Sequence, residues 1–127
     1  MSDAERDGVV ASGVELVDVA EAERLLAAGG GLLFSEAERR YASDRVDPAR
    51  RLAARLAAKR AACRLLGGGA SEVEVEVVRG EYGPPELRLN GTARERMRTL
   101  GASRALVSLT HEREHAAALV LFLRDPR

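Results

Sequence analysis

The chain has 127 residues, 46% of them hydrophobic and 31% charged, and its twenty basic and twenty acidic side chains cancel to zero net charge. That is the size of one globular domain with its own core. Aromatics at 3% with no Trp argue against a nucleic-acid module built on base stacking, and a single cysteine excludes a disulfide framework. Residues 1–8 are acidic and lead into no long apolar run, so neither a secretion signal nor a membrane span is expected and the protein reads as cytoplasmic.

Residues 9–18, VVASGVELVD, are mostly β-branched and apolar and predict a largely buried strand ending on Asp18. Asp18 has two readings, the N-cap of a helix over 19–28 or a metal ligand at a strand end. Gly29, Gly30 and Gly31 mark a turn, since no Lys-Ser/Thr pair follows to make a phosphate loop. Ser35 with Glu38 three residues on predicts a capping box for a short helix to about Ser43.

The longest predicted helix is DPARRLAARLAAKRAACRLLG over 47–67. Asp47 suits the N-cap, Pro48 the first helical position and Gly67 the residue past the end. At about 100° per residue, Leu52, Leu56, Cys63 and Leu66 fall within a narrow arc, with Lys59 near its middle and Arg55 and Arg60 on either side. Lys59 is the one lysine beside nineteen arginines. Either its stem snorkels along the core edge, or its cation is held at the rim of the core to meet an anionic ligand. Cys63 reads as a small buried thiol rather than a nucleophile or ligand. Residues 1–38 carry nine acids and two bases, whereas 48–66 carry six bases and no acid. The helix therefore offers a basic surface suited to an acidic partner or a phosphate.

Residues 71–78 alternate Val73, Val75 and Val77 with Glu72, Glu74 and Glu76, the pattern of a half-buried strand. The turn residues GEYGPP at 80–85 and renewed alternation over 86–89 predict a hairpin. Thr92 and Glu95 predict a second capping box for a short helix closed by Gly101. Residues 105–110 and 116–123 are apolar runs of strand length, joined by a turn holding both histidines, His111 and His115. One α+β domain with an antiparallel sheet and helices on its apolar face is expected.

Four segments in order carry a resemblance. GVELVDVAEAERL (13–25) is a strand ending in Asp that runs into a helix with an Arg. FSEAERRYASDRVDPARRLAARLAAKRAACRLLG (34–67) is similar to a long helix with an Arg-Phe-Ala-Ala-Lys-Glu-Ala signature. EVEVVRGEYGPPELRLNG (74–91) is similar to a hairpin whose turn usually reads Asn-Gly-Lys-Pro, and VSLTHEREHAAALVLF (107–122) to a final Ser-x-Ser/Thr-His hairpin. Together they cover nearly the whole chain, which resembles the holo-acyl-carrier-protein synthase type of 4'-phosphopantetheinyl transferase.

The resemblance implies that family's fold, an antiparallel sheet with a long central helix packed on one face. It also implies transfer of the phosphopantetheine arm of coenzyme A to a serine of an apo acyl carrier protein, with Mg²⁺ held by the strand-end Asp and a helix Glu. A homotrimer with active sites between subunits is implied as well. Residue by residue, Asp18 matches the metal-binding and catalytic Asp, Lys59 the helix lysine near the phosphates, and Arg55 the signature arginine. Gly83 and Pro85 keep the glycine and proline of the hairpin turn, and Ser108, Thr110 and His111 match the motif that lies against the coenzyme. His111 by itself reads equally as a turn histidine capping a strand end. Four positions depart from the pattern. Arg60 stands for the metal-binding Glu, Leu56 for the usual Phe, Pro84 for the turn lysine, and His115 where Tyr is common. A guanidinium cannot ligate Mg²⁺. The family's packing would set Arg60 against Asp18 as an ion pair, with Arg60 and Lys59 taking over part of the ion's charge in catalysis. A family member that binds coenzyme A or carrier protein without transferring the arm is the alternative.

Overall fold

A computed structural model describes residues 8–79 and 83–124. Strand β1 (Val9–Asp18) passes directly into helix α1 (Val19–Ala27), and a 3₁₀ turn at Gly30–Leu33 leads to α2 (Glu36–Ser43) and the long α3 (Pro48–Leu65). A second 3₁₀ turn at Glu72–Glu74 precedes the hairpin of β2 (Val75–Arg79) and β3 (Pro85–Leu89). Helix α4 (Gly91–Thr99) and a closing hairpin of β4 (Arg104–His111) and β5 (His115–Leu123) complete the order. The five strands form one sheet in the order β1-β5-β4-β3-β2 with antiparallel pairing. The expected α+β architecture is present, with α3 lying across β1 and β5.

Helix α3 is buried almost all round. Leu52 and Leu56 face the core as the arc predicted, and Ala53, Ala54, Ala57, Ala58, Ala61 and Ala62 are buried beside them. Alanine leaves room for backbones to approach, so the sheet packs on one side of α3 while α1 and α2 pack on others. Gly13 serves the same approach from β1, where an added Cβ would lie 3.2 Å from Leu65 Cδ2. Gly67, at φ +78, turns the chain out of the helix in the left-handed conformation expected of a residue just past the last turn.

The caps sort into those formed and those replaced. Ser35 Oγ accepts from Glu38 N at 3.1 Å and Glu38 Oε1 accepts from Ser35 N at 2.8 Å, which is the box read from the sequence. Asp47 makes no side-chain cap and pairs with Arg50 at 3.2 Å instead. Thr92 and Glu95 do not form a box. The N-cap of α4 is Asn90, and Glu74 Oε2 reaches across to accept from Thr92 N at 2.7 Å. Glu74 also accepts from Ser71 N at 3.0 Å, in a box that turns 72–74 into a 3₁₀ turn. The strand expected over 71–78 therefore starts at Val75, and Val73, assigned to its inner face, is exposed. Residues 80–82 of the expected hairpin turn lie outside the described residues, as do residues 1–7 of the acidic opening.

The sheet has two unlike faces. Val17, Val77, Leu87, Leu89, Val107, Val120 and Phe122 point toward α3 and are buried. On the other face Val14 pairs with Leu119, which pairs with Ser108, and Leu16 pairs with Ala117, which pairs with Thr110. Val14 is 66%, Leu16 62% and Leu119 39% exposed, so that face is an open apolar surface.

Candidate active site

The fold sends Lys59 inward. Its side chain is 1% exposed, 2.8 Å from Glu38 Oε1, and its ammonium also donates to the carbonyl of Val75. Glu38 is buried with it and accepts from Val77 N at 2.9 Å, so the pair ties α2, α3 and β2 together. The cation expected at the core rim is thus satisfied by protein oxygens in the interior. Neither snorkelling nor display to a ligand describes it. Sequence reasoning had Glu38 only as a capping residue. Its capping oxygen Oε1 also meets Lys59, and Oε2 accepts from Val77 N, the two contacts that were missed.

Arg55 does reach a cleft. A cavity of about 500 Å³ opens between α2, α3 and the β2–β3 hairpin, lined among others by Tyr41, Arg51, Arg55, Arg79, Gly83, Pro85, Arg88 and His111. Four guanidinium groups crowd the Tyr41 ring, with Arg55 Cζ 4.2 Å, Arg45 4.4 Å, and Arg51 and Arg79 5.9 Å from its centroid. Burial pushes the Tyr41 phenol up, but the bond with Arg45 and the charges of Arg55, Arg51 and Arg45 outweigh it and bring the pKa down to about 8. Burial draws Arg55 below its ordinary value, partly offset by Tyr41 and Glu38. Among the described residues, the Nε atoms of Arg51 and Arg55 are buried without a hydrogen-bond partner. Of the carboxylates lining the cleft, Glu38 is committed to Lys59, and Glu76 lies 3.7 Å from Arg88. Positive charge with unsatisfied donors is what an anionic ligand would complete.

This cleft gathers Arg55, Gly83, Pro85 and His111, as expected, but not the other two residues of the final motif. Along β4 side chains alternate, so Leu109 and His111 face the cleft while Ser108 and Thr110 point to the open face of the sheet. Arg51, Tyr41, Arg79 and Arg88 were not foreseen as site residues. Arg51 stands one turn before Arg55 on the same helix face, a spacing that could have flagged it.

Asp18 lies elsewhere. It occupies the N-cap position of α1 without a side-chain cap bond, and faces a second cleft of about 360 Å³ with Val19, Ala20, Glu23, Arg113, Glu114 and His115. Its Oδ1 is 3.6 Å from His115 Nε2, while His115 Nδ1 is 2.7 Å from Glu112 Oε1. The bond with Glu112, with the charges of Asp18 and Glu114, raises the His115 pKa, and the same bond lowers that of Glu112. The expected Asp18–Arg60 pair is not formed. Arg60 is 2.7 Å from Glu21, one helical turn into α1, because the end of β1 leaves Asp18 on the sheet's open face while Glu21 points back at α3. The other nearby carboxylate, Glu15, is 3.3 Å from Arg64. Among the described residues no group of three or more His, Cys, Asp or Glu side chains is placed to hold a metal. Cys63 is half-buried, and burial pushes its thiol up to about 11, so it stays protonated and unreactive.

No family model matches the chain, but curated relatives and solved structures do. It is 37% identical over 122 residues to the holo-[acyl-carrier-protein] synthase of Anaeromyxobacter sp. (strain K), covering 89% of this chain and 94% of that protein. It is 40% identical over 114 residues to the synthase of Clavibacter michiganensis subsp. michiganensis, covering 86% and 91%. The acyl carrier protein synthase of Mycobacterium tuberculosis superposes with a TM-score of 0.72 at 34% identity, over 94% of this chain and 100% of that one. A synthase–coenzyme A complex of Chronobacterium ammoniagenes superposes at 0.73 with 28% identity, over 91% and 97%. At these identities over most of its length, the chain belongs to the holo-[acyl-carrier-protein] synthase family.

Proposed function

We propose that this protein moves the 4'-phosphopantetheine arm of coenzyme A to a serine hydroxyl of an apo acyl carrier protein. The observation that carries the reading is the cleft in which, among the described residues, the buried Nε–H groups of Arg51 and Arg55 have no partner, beside Arg79, Arg88 and His111. The coenzyme's phosphates are the ligand that fits such donors, and guanidinium groups bind phosphate in bidentate fashion. In the transfer, the serine Oγ–P bond forms, the P–O bond of the diphosphate breaks and 3',5'-ADP leaves. The protein's part in such a reaction is to position the groups and to stabilise charge on the transferred phosphoryl oxygens. Lys59 contributes by locking Glu38, and through it α2 and β2, at the wall of the cleft.

The family's Mg²⁺ does not fit the residues present. Octahedral Mg²⁺ asks for hard oxygen donors, and Arg60 occupies the position of one carboxylate while Glu21 and Glu15 are each engaged by an arginine. No step is routed through that ion.

The two clefts share no lining residue and sit on opposite faces of the β4–β5 hairpin, with His111 on one and His115 on the other. A homotrimer supplies the missing juxtaposition, with the arginine cleft of one copy set beside Asp18 of the next. What supports it is the open apolar face of Val14, Leu16 and Leu119, which borders Asp18 and which a second copy would cover. Ser108 and Thr110, on that same face, would then meet the coenzyme at the subunit boundary. The basic docking surface expected of α3 is largely used up, with Lys59 buried on Glu38, Arg60 and Arg64 paired with Glu21 and Glu15, and Arg51 and Arg55 lining the cleft.

Mass spectrometry of apo carrier proteins incubated with this protein, coenzyme A and a divalent ion tests the reading. The expected result is the mass of the added arm on one carrier serine. Coenzyme A binding without modification of any carrier would instead establish a member that binds but does not transfer.

A further inference from the structure

Tyr41 has no role in the sequence motifs, yet the arginines of the cleft are arranged around it. It sits half-buried on α2. The cations that meet it come from separate places, Arg45 just past α2, Arg51 and Arg55 one turn apart on α3, and Arg79 at the end of β2. A tyrosine offers a guanidinium both a π-face and an acceptor oxygen. Arg55 and Arg45 use the face, at 4.2 and 4.4 Å from the centroid, and Arg51 Nη1 donates to the hydroxyl at 3.2 Å. Like charges gathered this closely repel one another. The carboxylates lining the cleft are already engaged, Glu38 on Lys59 and Glu76 at 3.7 Å from Arg88. Apart from a 3.5 Å bond from Arg55 to the Arg51 carbonyl, Tyr41 is the attraction that, among the described residues, these cations share. The bond it takes from Arg51 Nη1 leaves the Nε edge of that guanidinium for a phosphate, the edge that can hold two oxygens side by side.

We infer that Tyr41 is a positioning residue of this cleft, its ring and hydroxyl gathering the arginines for a phosphate ligand, and that the same phenol, once ionised, competes with that ligand for them. The neutral phenol accepts a hydrogen bond and leaves the guanidinium charges to the ligand, whereas the phenolate pairs with them. Burial pushes the phenol up, but the bond with Arg45 and the charges of Arg55, Arg51 and Arg45 bring it down to about 8, so the exchange falls just above neutrality. The other charged or titrating groups of the cleft are Glu38 from α2, Arg79 and Glu76 from β2, Arg88 from β3 and His111 from β4. A phosphate that prefers the neutral phenol raises the phenol's pKa on binding, and by reciprocity its own affinity falls as pH rises through 8. The inference rests on the coenzyme reading only for the identity of the ligand, since any phosphate ester in the cleft would show the same linkage.

The probe is 3',5'-ADP, whose phosphates carry nearly their full charge above about pH 7 and so add little titration of their own. Calorimetry between about pH 7 and 10 compares the parent with Tyr41→Phe, which keeps the ring and every other titrating group of the cleft, so the difference between the two profiles reports the phenol alone. In the parent the affinity should fall by about tenfold over that range, the limit set by a bound-state pKa one unit higher, and in Tyr41→Phe by less than about twofold. Tyr41→Leu, which removes the ring as well, should bind about fivefold more weakly than Tyr41→Phe at pH 7, the worth of the lost cation–π contacts. Saturating 3',5'-ADP should also move the phenol midpoint, read by tyrosinate absorbance in the Tyr82→Phe background, from about 8 to about 9. Parallel pH profiles for the parent and Tyr41→Phe, or a midpoint that saturation leaves in place, overturns the inference while the binding itself upholds the coenzyme reading. A midpoint raised by sulfate in a protein that does not bind 3',5'-ADP does the reverse. If neither anion binds or moves the midpoint, both are overturned.

Discussion

Replacing Lys59 by Met separates a structural lysine from a ligand-binding one. The substitution keeps the length of the stem and removes the charge, leaving the Glu38 carboxylate in the core with Ser35 N and Val77 N as its remaining partners. Both side chains of the pair are 1% exposed, so solvent does not screen the loss. Stranding one member of such a pair costs about 3–5 kcal/mol, and the Val75 carbonyl loses a donor as well. For a chain of this size that corresponds to a melting point lower by about 10–20 °C. Urea unfolding with the slope checked for two-state behaviour gives the measurement. Adding Glu38→Gln should recover at least half of the loss, because the amide oxygen still accepts from the backbone while the stranded charge is gone. Coenzyme A affinity, measured well below the melting point, should change by less than about threefold. A Lys59→Met protein that stays within about 1 kcal/mol of the parent but loses coenzyme A binding would refute the interior assignment and restore the rim cation.

Arg55→Ala should weaken coenzyme A binding by about 10–100-fold, the worth of one or two charged hydrogen bonds. His111→Ala should weaken it more than His115→Ala when calorimetry is done without added metal, because only His111 lines the arginine cleft. The Tyr41 phenol, followed by tyrosinate absorbance in a Tyr82→Phe background, should titrate at about 8 rather than its ordinary 10. Folded protein then sheds the proton at lower pH than unfolded, so this group adds stability as pH rises from 8 to 10 and gives it up as pH falls back through 8. Removing Arg55 should move the midpoint upward. Arg60→Ala should cost no more than about 1 kcal/mol, since its contact with Glu21 is a third exposed. Arg60→Glu should destabilise more than Arg60→Ala, because it sets a second carboxylate against Glu21; equal melting points for the two variants would refute that pairing. Leu16→Glu should convert trimers to monomers by light scattering and abolish transfer while leaving single-chain coenzyme A contacts in place. A monomeric parent at micromolar concentration would remove the between-subunit site.

Local signals were legible where one chemical rule acted alone. The Ser35–Glu38 box and the Pro48 start and Gly67 end of α3 stand where the sequence placed them, and the turn between β4 and β5 does too, though His111 and His115 end the strands rather than lie in it. The misses come from competition between nearby groups. Glu74 was read as an outward strand residue, but it serves both Ser71 N and Thr92 N, which shortens β2 and displaces the Thr92 cap. Asp47 prefers Arg50 to the helix amides. Of the residues the motifs carry, Arg55, Gly83, Pro85 and His111 line one cleft. The partners of Lys59 and Arg60 were not legible, since Glu38 and Glu21 come from other helices and only packing decides which carboxylate each cation meets.

The alternation of β4 and β5 gives these residues their different roles. His111 and His115 are four apart and bracket one tight turn, yet their rings fall on opposite faces of the sheet, one among arginines and the other between Glu112 and Asp18. A single chain thus places its phosphate-binding donors on one side of the sheet and its strand-end carboxylate on the other. No bending of a five-stranded sheet stiffened by α3 brings the two together. In the proposed trimer a second copy docked on the open face supplies that juxtaposition. The exposure of Val14, Leu16 and Leu119 is the physical counterpart of that proposal, because the surface left dry by docking is the one that borders Asp18. On this account oligomerisation and catalysis cannot be mutated independently along β1. If the proposed trimer holds, a charge at Leu16 removes the transfer by taking away the neighbouring copy's cleft while Asp18 stays where it was.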